Sequence, residues 1–369
     1  MSPADVPHAD RVRVVTRGPT APNSLRALLS AYTSLRASGR AFAVASVVGV
    51  AGSAFRREGA RMLVVPEPDG RPATGRPATV GALSGGCLEA EVAACAAEAV
   101  RTGRAETLAF TSHLGDADRA AFGLGCGGTV RVLVQPVFPG DVCGPLDALA
   151  DAVAARRPGV LAVVTDGAGV GQHRFVCGDG TSGGTLAASD VLGAAVRSVA
   201  ASGAGRAVRA GDAEVRLDAA EPAVRLVAFG TGPDARALVR QGALLGWSTA
   251  AVGVSSGPEV AAAVPEADDA LADDSEAVRG LDARTAAVVM THGFARDRAL
   301  VAALAESGAG YVGLLGSRHR TERLLDGLAL APGRLHAPVG LDVGAETPEE
   351  IALAACAEIL ACLRGRRVA

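Results

Sequence analysis

The stretch that decides the fold is VRLVAFGTGPDA, residues 224–235. Val224–Phe229 is an apolar run interrupted only by Arg225, which is typical of a strand buried on both faces of a parallel sheet. Gly230 and Gly232 form a glycine turn, and a helix is predicted near Ala235–Leu245. A strand, a glycine turn and a helix in this order predict the first unit of a doubly wound α/β sheet, whose ligands lie at the carboxyl ends of its strands.

The same pattern continues towards the C-terminus. The further predicted strands are Thr249–Val254, Ala286–Met290 and Tyr311–Leu315. The further predicted helices are Asp297–Glu306 and His319–Leu328. A last helix is predicted to begin at Thr347, because Pro348 stands in its first turn and Glu350 completes a capping box. We therefore predict an α/β chain whose C-terminal part, residues 223–369, is a Rossmann-like doubly wound domain with a parallel sheet.

Upstream, residues 24–222 predict a mixed α/β domain, preceded by a disordered lead-in at 1–23. A helix capped by Ser24, strands at Phe42–Val48, Arg61–Val65 and Thr129–Val134, and a helix at Leu88–Arg101 make up its first part. Residues 160–222 repeat the order of elements of 24–138 in weaker form, without the cysteine motifs. An internal repeat explains this order; chance similarity between segments rich in alanine and glycine is the alternative.

Composition excludes several kinds of chemistry. All 36 Lys+Arg residues are arginine, so lysine Schiff bases and the Walker A lysine are absent, and codon bias in a GC-rich genome explains the missing lysine. A net charge of −3 does not indicate a nucleic-acid partner. We expect a cytoplasmic protein without a membrane span, whose 7 cysteines are reduced thiols because they form no CxxC pair.

The first motif with chemical potential is SGGCLEAE, Ser84–Glu91. Ser84, Gly85 and Gly86 precede Cys87 at the predicted start of a helix, where free N–H groups favour a thiolate or a bound anion. Two glutamates in the same turn oppose the thiolate electrostatically. The alternative is a small buried cysteine in a tight turn.

The second motif is GLGCGG, Gly123–Gly128, which leads into a strand. Cys126 is flanked by glycines, Gly125, Gly127 and Gly128, which carry no side chains. The successive backbone N–H groups of this segment can form an anion-binding nest. Packing alone rarely requires glycine at this density.

The third motif is GSAFRREGAR, residues 52–61. Gly52 and Ser53 begin a loop in which three arginines crowd together: Arg56, Arg57 and Arg61. Because a guanidinium is a planar, permanent cation suited to phosphate, a phosphorylated ligand is one interpretation of this loop. An ordinary solvated loop is the other.

In the C-terminal part, Gly230 and Gly232 stand where a dinucleotide fingerprint would, and His292 follows a strand. Two features count against NAD(P): Asp234 is negative where a pyrophosphate would lie, and no acidic ribose ligand occurs near Ser255. A later strand end adds the candidate binding residues Gly316, Ser317 and Arg318.

Taken together, GSAFRREGARM, LSGGCLEAE, GLGCGG, FGTG, MTHGF, YVGLLGSR and PVGLDVGAETPEEIA resemble the XdhC/CoxI family of molybdenum-enzyme accessory proteins. The resemblance runs in order from about residue 25 to 362. It implies a dimeric chaperone that binds molybdenum cofactor, supports its sulfuration with a cysteine desulfurase, and delivers it to the apo-enzyme of a xanthine dehydrogenase-type molybdenum hydroxylase.

By the same resemblance, Cys87 and Cys126 become candidate cofactor, sulfur or metal contacts, and Arg56, Arg57 and Arg61 candidate contacts of the pterin phosphate. His292 is a further catalytic candidate because it stands at a strand end, and a satisfied loop histidine is the alternative. Soft thiolates suit a molybdenum–sulfur centre.

The chain departs from the family pattern at the nucleotide site. Family members have Gly-His where this chain has Gly232-Pro233, and an Asp with a nearby Arg where it has Gly253-Val254-Ser255. Two alternatives to the chaperone stay open: an NAD(P)-dependent oxidoreductase that uses the Rossmann-like domain, and a degenerate family member that acts as a docking or regulatory partner.

Overall fold

A computed structural model of the chain describes residues 24–66, 78–111, 128–328 and 333–366, and the backbone of a two-residue strand, β1 (Val14–Val15). The chain forms two compact units: Pro22–Pro222, and Ala223–Ala369 with Met1–Ala21. The predicted disordered lead-in lies mostly outside the described residues. Within this segment, Val14 and Val15 extend an edge of the second unit's sheet. In the part of the chain described, no helix is long and apolar enough to cross a bilayer.

The first half of the Pro22–Pro222 unit is a helix followed by a five-stranded antiparallel sheet that a second helix covers. Its elements are α1 (Leu25–Ala37), β2 (Phe42–Ala51), β3 (Arg61–Val65), β4 (Ala78–Gly81), α2 (Glu89–Thr102), β5 (Glu106–Thr111) and β6 (Thr129–Val137). The strand order is β4-β3-β2-β6-β5.

The second half has the same elements in the same sequence order. They are α3 (Asp147–Ala154), β7 (Gly159–Asp166), β8 (His173–Cys177), β9 (Ser182–Gly184), α4 (Asp190–Ser202), β10 (Arg206–Ala210) and β11 (Ala213–Ala220). Its sheet order, β9-β8-β7-β11-β10, is that of the first sheet with each strand replaced by its counterpart. The two halves therefore share one topology, as the predicted internal repeat requires.

Both repeats contribute to a shared core. Side chains along β2 alternate, so Phe42 and Val44 face this shared core, while Ala43 and Ala45 pack under α2. Helices α1 and α3 lie in the shared core with Leu161 of β7, and α4 covers the far face of the second sheet. The first sheet is therefore held on both faces, which fixes the loops at its ends.

The Ala223–Ala369 unit is a twisted sheet of six parallel strands plus β1. Its elements are β12 (Arg225–Phe229), α5 (Pro233–Leu244), β13 (Ser248–Val252), α6 (Gly257–Ala263), β14 (Asp269–Leu271), α7 (Asp274–Val278), β15 (Thr285–Val289), α8 (Phe294–Ala305), β16 (Tyr311–Leu314), α9 (Arg318–Leu325), β17 (Leu335–His336) and α10 (Pro348–Leu363). The order β1-β14-β13-β12-β15-β16-β17 is the dinucleotide-fold order with one antiparallel edge strand added. The predicted Rossmann-like fold is confirmed.

The strands of this unit are buried on both faces. Leu226 and Ala228 of β12 face α5 and α10, whereas Val227 and Phe229 face α8, which explains the apolar run in the sequence. The predicted capping box of α10 is present, with Thr347 accepting from the Glu350 N–H at 3.3 Å.

Several predicted ends differ from the structure by up to three residues, including that of β2, which runs to Ala51 instead of Val48. β13 ends at Val252 rather than Val254, since the N–H of Gly253 bonds Leu271. Helix α9 ends at Leu325, three residues early, because Asp326 leaves the helical conformation. β6 runs on to Val137, since its pairing with β2 extends that far.

Candidate functional site

Two of the predicted motifs meet at one end of the first sheet. Antiparallel pairing of β2 with β6 sets Ala51 opposite Thr129, so the loop after β2 lies beside the residues that lead into β6. The approach is close at Gly128, where a Cβ atom would lie 2.3 Å from the backbone oxygen of Ser53. Only glycine fits against that carbonyl. The loop that begins at Gly52 and the end of the GLGCGG motif therefore share one edge.

The first motif, Ser84–Glu91, reaches the same edge at Gly85, where it meets Phe55 of the loop after β2. This exposed ring lies over Gly85, where a Cβ atom would be 3.8 Å from the ring's Cδ2. Gly86 has a φ of +113° and no atom within 4 Å of a would-be Cβ, so its backbone is open to a ligand. Cys87, next in the chain, is partly buried and packs on the core under α2.

A network around Ser84 fixes this turn. Its Oγ accepts the N–H groups of Gly86, Cys87 and Leu88, each at 3.1 Å, and donates to Glu89 Oε2 at 2.5 Å. These three N–H groups are the ones that the sequence suggested as free anion donors. They are already satisfied, so an anion at this edge would have to use other donors.

Glu89 supplies a fixed negative charge within the turn. Burial alone would raise the pKa of its carboxyl, but hydrogen bonds from the Ser84 hydroxyl and from the N–H groups of Ser84 and Leu83 outweigh burial and lower it.

The three arginines of the loop have different surroundings. Arg57 is exposed and Arg56 is partly exposed, and the Nε atoms of Arg56 and Arg61 are both buried without a hydrogen-bond partner among the residues described. Arg61 lies at the junction of the two repeats, with Nη2 3.9 Å from Asp218 and Nη1 donating to the Gly59 carbonyl at 3.0 Å. Burial lowers the pKa of Arg61, and Asp218 acts in the opposite direction. Arg56 and Arg57 thus offer charge to a ligand, while Arg61 supports the fold.

The rest of the second motif, Gly125, Cys126 and Gly127, lies outside the described residues. Six described cysteines are free thiols. Within the described ranges, no group of three or more His, Cys, Asp or Glu side chains could hold a metal ion. Metal contacts from Cys87 and Cys126 therefore stay a prediction.

The C-terminal candidates lie at the carboxyl edge of the parallel sheet. The helices after β12 and β15 pack on opposite faces, α5 on one and α8 on the other, so a crevice opens between these two strand ends. Gly230 approaches β15 closely, since a Cβ atom there would lie 2.8 Å from the Met290 oxygen. A Cβ atom at Gly232 would lie 4.0 Å from Nε2 of the exposed His292. The structure therefore brings these three predicted residues together.

A buried aspartate that the sequence reasoning missed organises the neighbouring strand end. Asp297 is fully buried, accepts the hydroxyl of Thr291, and pairs with Arg320 Nη2 at 2.7 Å. Ser317, a predicted binding residue, caps α9 through its hydroxyl instead. An acidic residue in the first turn of a helix usually interacts with the helix N-terminus, so no local pattern indicated that Asp297 is buried.

A cleft of about 410 Å³ adjoins the glycine turn, between the first turns of α5 and α10. Its lining includes Gly232, Arg236, Arg240 and Glu349. Arg236 is committed to Glu266, with Nη2 2.8 Å from Oε1, whereas Arg240 lies 3.9 Å from the same carboxylate. Of the two arginines in this cleft, Arg240 therefore makes the longer and weaker ion pair with Glu266.

Beyond β13 the structure offers no ready ribose ligand among the residues described. Ser255 is exposed, and the first acidic residue after it, Glu259, accepts the N–H and hydroxyl of Ser256 in a capping box. The carboxylate is thus already engaged by the start of α6.

Comparisons with known proteins bear on both units. Residues 35–111 match the XdhC and CoxI family, and residues 226–359 match the XdhC Rossmann domain. Together these matches cover more than half of the chain. The chain belongs to the XdhC/CoxI family.

Individual relatives agree with this assignment. A solved structure described as a xanthine dehydrogenase from Bacillus halodurans is 26% identical, with a TM-score of 0.74 over 92% of this chain and 96% of that one. A Bacillus subtilis protein described as a probable xanthine dehydrogenase subunit is 37% identical over 143 residues, 38% of this chain and 43% of the relative. The uncharacterized protein YqeB of Escherichia coli is 37% identical over 147 residues, 37% of this chain and 27% of the relative. The chain thus spans less than half the length of these two curated relatives.

Proposed function

We propose that this family member is an accessory protein that binds molybdenum cofactor for a xanthine dehydrogenase-type molybdenum hydroxylase. The observation that carries the proposal is the meeting of the Gly52–Arg57 loop, the Ser84–Cys87 turn and Gly128 at one end of the first sheet. The names of the Bacillus relatives support a molybdenum hydroxylase as the partner.

The side chains at this end suit such a ligand. Arg57 is exposed and Arg56 is partly exposed, so both guanidinium groups can meet a phosphate. The open backbone at Gly86 admits a flat ligand close to the chain. Cys87 is partly exposed and offers the soft sulfur that a molybdenum–sulfur centre prefers.

When bound, the cofactor would supply the chemistry of its molybdenum centre. Within this chain, Arg56 and Arg57 would hold the phosphate, and Cys87 would stand at the metal side, joined by Cys126. The proposal includes sulfuration with a cysteine desulfurase as sulfur donor, delivery to the apo-hydroxylase, and a homodimer as the assembly.

Retention of the cofactor by the purified chain tests this proposal. We expect Arg57→Ala to weaken retention about tenfold, the loss of one charge-assisted contact, and Arg197→Ala, at an exposed arginine on α4, to leave it unchanged. The Cys87→Ser, Cys126→Ser double variant should lose retention, whereas Cys95→Ser in α2 should keep it. Equal retention by all these variants would remove the proposed site. Hydroxylase binding without cofactor retention would indicate a docking partner instead.

A second candidate function is an NAD(P)-dependent oxidoreductase. The observation that favours it is the glycine turn at the switch point of a dinucleotide-type sheet, with His292 facing Gly232. Titration with NAD and NADP tests it, and no binding of either at about millimolar concentration would exclude it.

A further inference from the structure

A cluster of reactive groups lies where the amino end of β16 meets His336 of β17 and the C-terminal half of α10. Cys362, near the end of α10, has its Sγ 3.7 Å from Nε2 of His336. The other ring nitrogen, Nδ1, lies 3.1 Å from Oε1 of Glu358. The ring of Tyr311 stacks on the imidazole with centroids 4.3 Å apart.

Both side-chain oxygens of Glu358 have hydrogen-bond partners. Its Oε2 takes the Tyr311 hydroxyl at 2.5 Å and the Gly340 N–H at 2.8 Å. The remaining oxygen therefore accepts the Nδ1 proton of His336, and this fixes the tautomer whose Nε2 lone pair faces the thiol. A thiol, a base and a residue that orients the base follow one another, which is the arrangement of an activated nucleophile.

The three groups form a chain and do not converge on one point. His336 stands between Glu358 and Cys362 and uses one ring nitrogen for each, in keeping with the absence of a metal-binding group among the described residues. The arrangement suits proton transfer from sulfur better than shared coordination of an ion.

We propose that Cys362 is a reactive thiol that undergoes exchange with small disulfides, with His336 as its base and Glu358 as the residue that positions the base. The Cys362 sulfur attacks one sulfur of the disulfide while its proton passes to Nε2 of His336. The S–S bond breaks, and the leaving thiolate takes that proton. The balance is one thiol and one disulfide in, one mixed disulfide and one thiol out.

The resting state fits a base that acts during attack. Burial and the nearby Glu358 carboxylate raise the pKa of Cys362, so the thiol is protonated at rest. An imidazole with a free Nε2 removes the need for a preformed thiolate.

The chain contains its own comparison site. Cys143 and His173 are also 3.7 Å apart, from Sγ to Nε2, and Cys143 is exposed to a similar degree. Nδ1 of His173 faces the Gly171 carbonyl and the Thr185 hydroxyl, each at 3.4 Å, instead of a carboxylate. If the Glu358 carboxylate makes His336 a better base, Cys143 reacts more slowly than Cys362.

The experiment measures the reaction of the full chain with an aromatic disulfide that releases a coloured thiolate, and locates the modified cysteine by peptide mass. We expect the fastest modification at Cys362, and loss of that phase in Cys362→Ser but not in Cys143→Ser. Glu358→Gln keeps the shape and the Tyr311 contact, but its amide donates to Nδ1 and leaves the proton on Nε2. This variant should react roughly a hundredfold more slowly, the lower end of the effect of losing a general base.

A second variant separates chemistry from structure. His336→Ala should also slow the reaction, and free imidazole should restore its rate, which a merely structural role would not allow. Thermal unfolding monitored by circular dichroism checks that each variant is folded. Equal rates for Glu358→Gln and the parent chain, or first modification at Cys87 or Cys143, would overturn the proposal. Cofactor retention is a separate readout, so this result is independent of the proposed accessory function.

Discussion

At the scale of single residues, Ser84 contributes to this fold in a way that its place in the sequence did not reveal. Its hydroxyl receives three backbone N–H groups and donates to Glu89, so it holds the turn that carries Gly86 and Cys87. The turn presents open glycine backbone because Ser84 satisfies the N–H groups behind it.

Ser84→Ala is therefore expected to destabilise the Pro22–Pro222 unit by about 2 kcal/mol, because it leaves partly buried N–H groups without an acceptor. Urea-induced unfolding measures the change. Ser34→Ala is the matched control, since the Ser34 hydroxyl is exposed and bonds only a carbonyl within α1. A loss no larger than that of Ser34→Ala would contradict the structural importance of the Ser84 network.

Glu89 makes the stability of the same turn depend on pH. Because its folded-state pKa is lowered by the Ser84 and Leu83 hydrogen bonds against the effect of burial, its contribution is full above the unfolded pKa and is lost as pH falls through the folded pKa. Glu89→Gln should be less stable than the parent near pH 7, and the difference should shrink below about pH 4.5. Unfolding midpoints at several pH values measure this; a difference that grows with acid would show the opposite sign.

At the scale of elements, Gly128 joins the ends of β2 and β6. A Cβ atom would meet the backbone oxygens of Ser53 and Ala51 at 2.3 and 2.8 Å, and backbone atoms cannot rotate away as a side chain can. Gly128→Ala should cost about 2 kcal/mol through overpacking and should weaken cofactor retention, because the strand ends must separate.

Gly178→Ala is the control for this prediction. A Cβ atom there would be 3.7 Å from its nearest neighbour, the Pro158 oxygen, so the substitution tests alanine in open space. The unfolding free energy and the retained cofactor are measured for both variants. Equal values for the two would mean that the contact of the strand ends does not hold the site together.

Some secondary-structure elements and contacts were predictable from the sequence, and others were not. The start of α10 was predicted because the capping box of Thr347 and Glu350 is a local signal. Helix α3 was missed, since it has only eight residues and its N-cap, Leu146, makes no side-chain cap. The meeting of Ser53 with Gly128 follows from the register of β2 and β6, which no local pattern records. The fold class and the start of α10 were thus readable from the sequence, but the burial of Arg61 and Asp297 required the fold, and the chemical roles of the motifs stay predictions.

At the scale of the whole Pro22–Pro222 unit, two repeats of one topology have diverged in what they carry. The turn before α4 is closed by Ser189, whose hydroxyl accepts the Leu192 N–H at 3.3 Å, where the first repeat has the turn of Ser84 and Cys87. The second repeat contributes Leu161 and Phe175 to the shared core. The second repeat therefore supports the first through the shared core. The proposed ligand site lies at the glycine-rich edge of the first repeat.

The charges at the junction of the repeats test this view. Asp218 of β11 accepts Arg216 Nε at 2.8 Å and lies 3.9 Å from Arg61 of β3, and burial already lowers the pKa of Arg61. Asp218→Asn leaves two neighbouring cations without their shared anion, so we expect a loss of about 2 kcal/mol, less than for a fully buried pair. Asp212→Asn, in the exposed β10–β11 turn, should cost nearly nothing.

Urea unfolding followed by separate probes in the two repeats measures the effect. If the shared core makes the repeats one cooperative structure, Asp218→Asn shifts both probes together to lower urea. A shift of the second-repeat probe alone would show that the first repeat stands without the second, and that the second repeat does not support the proposed cofactor site.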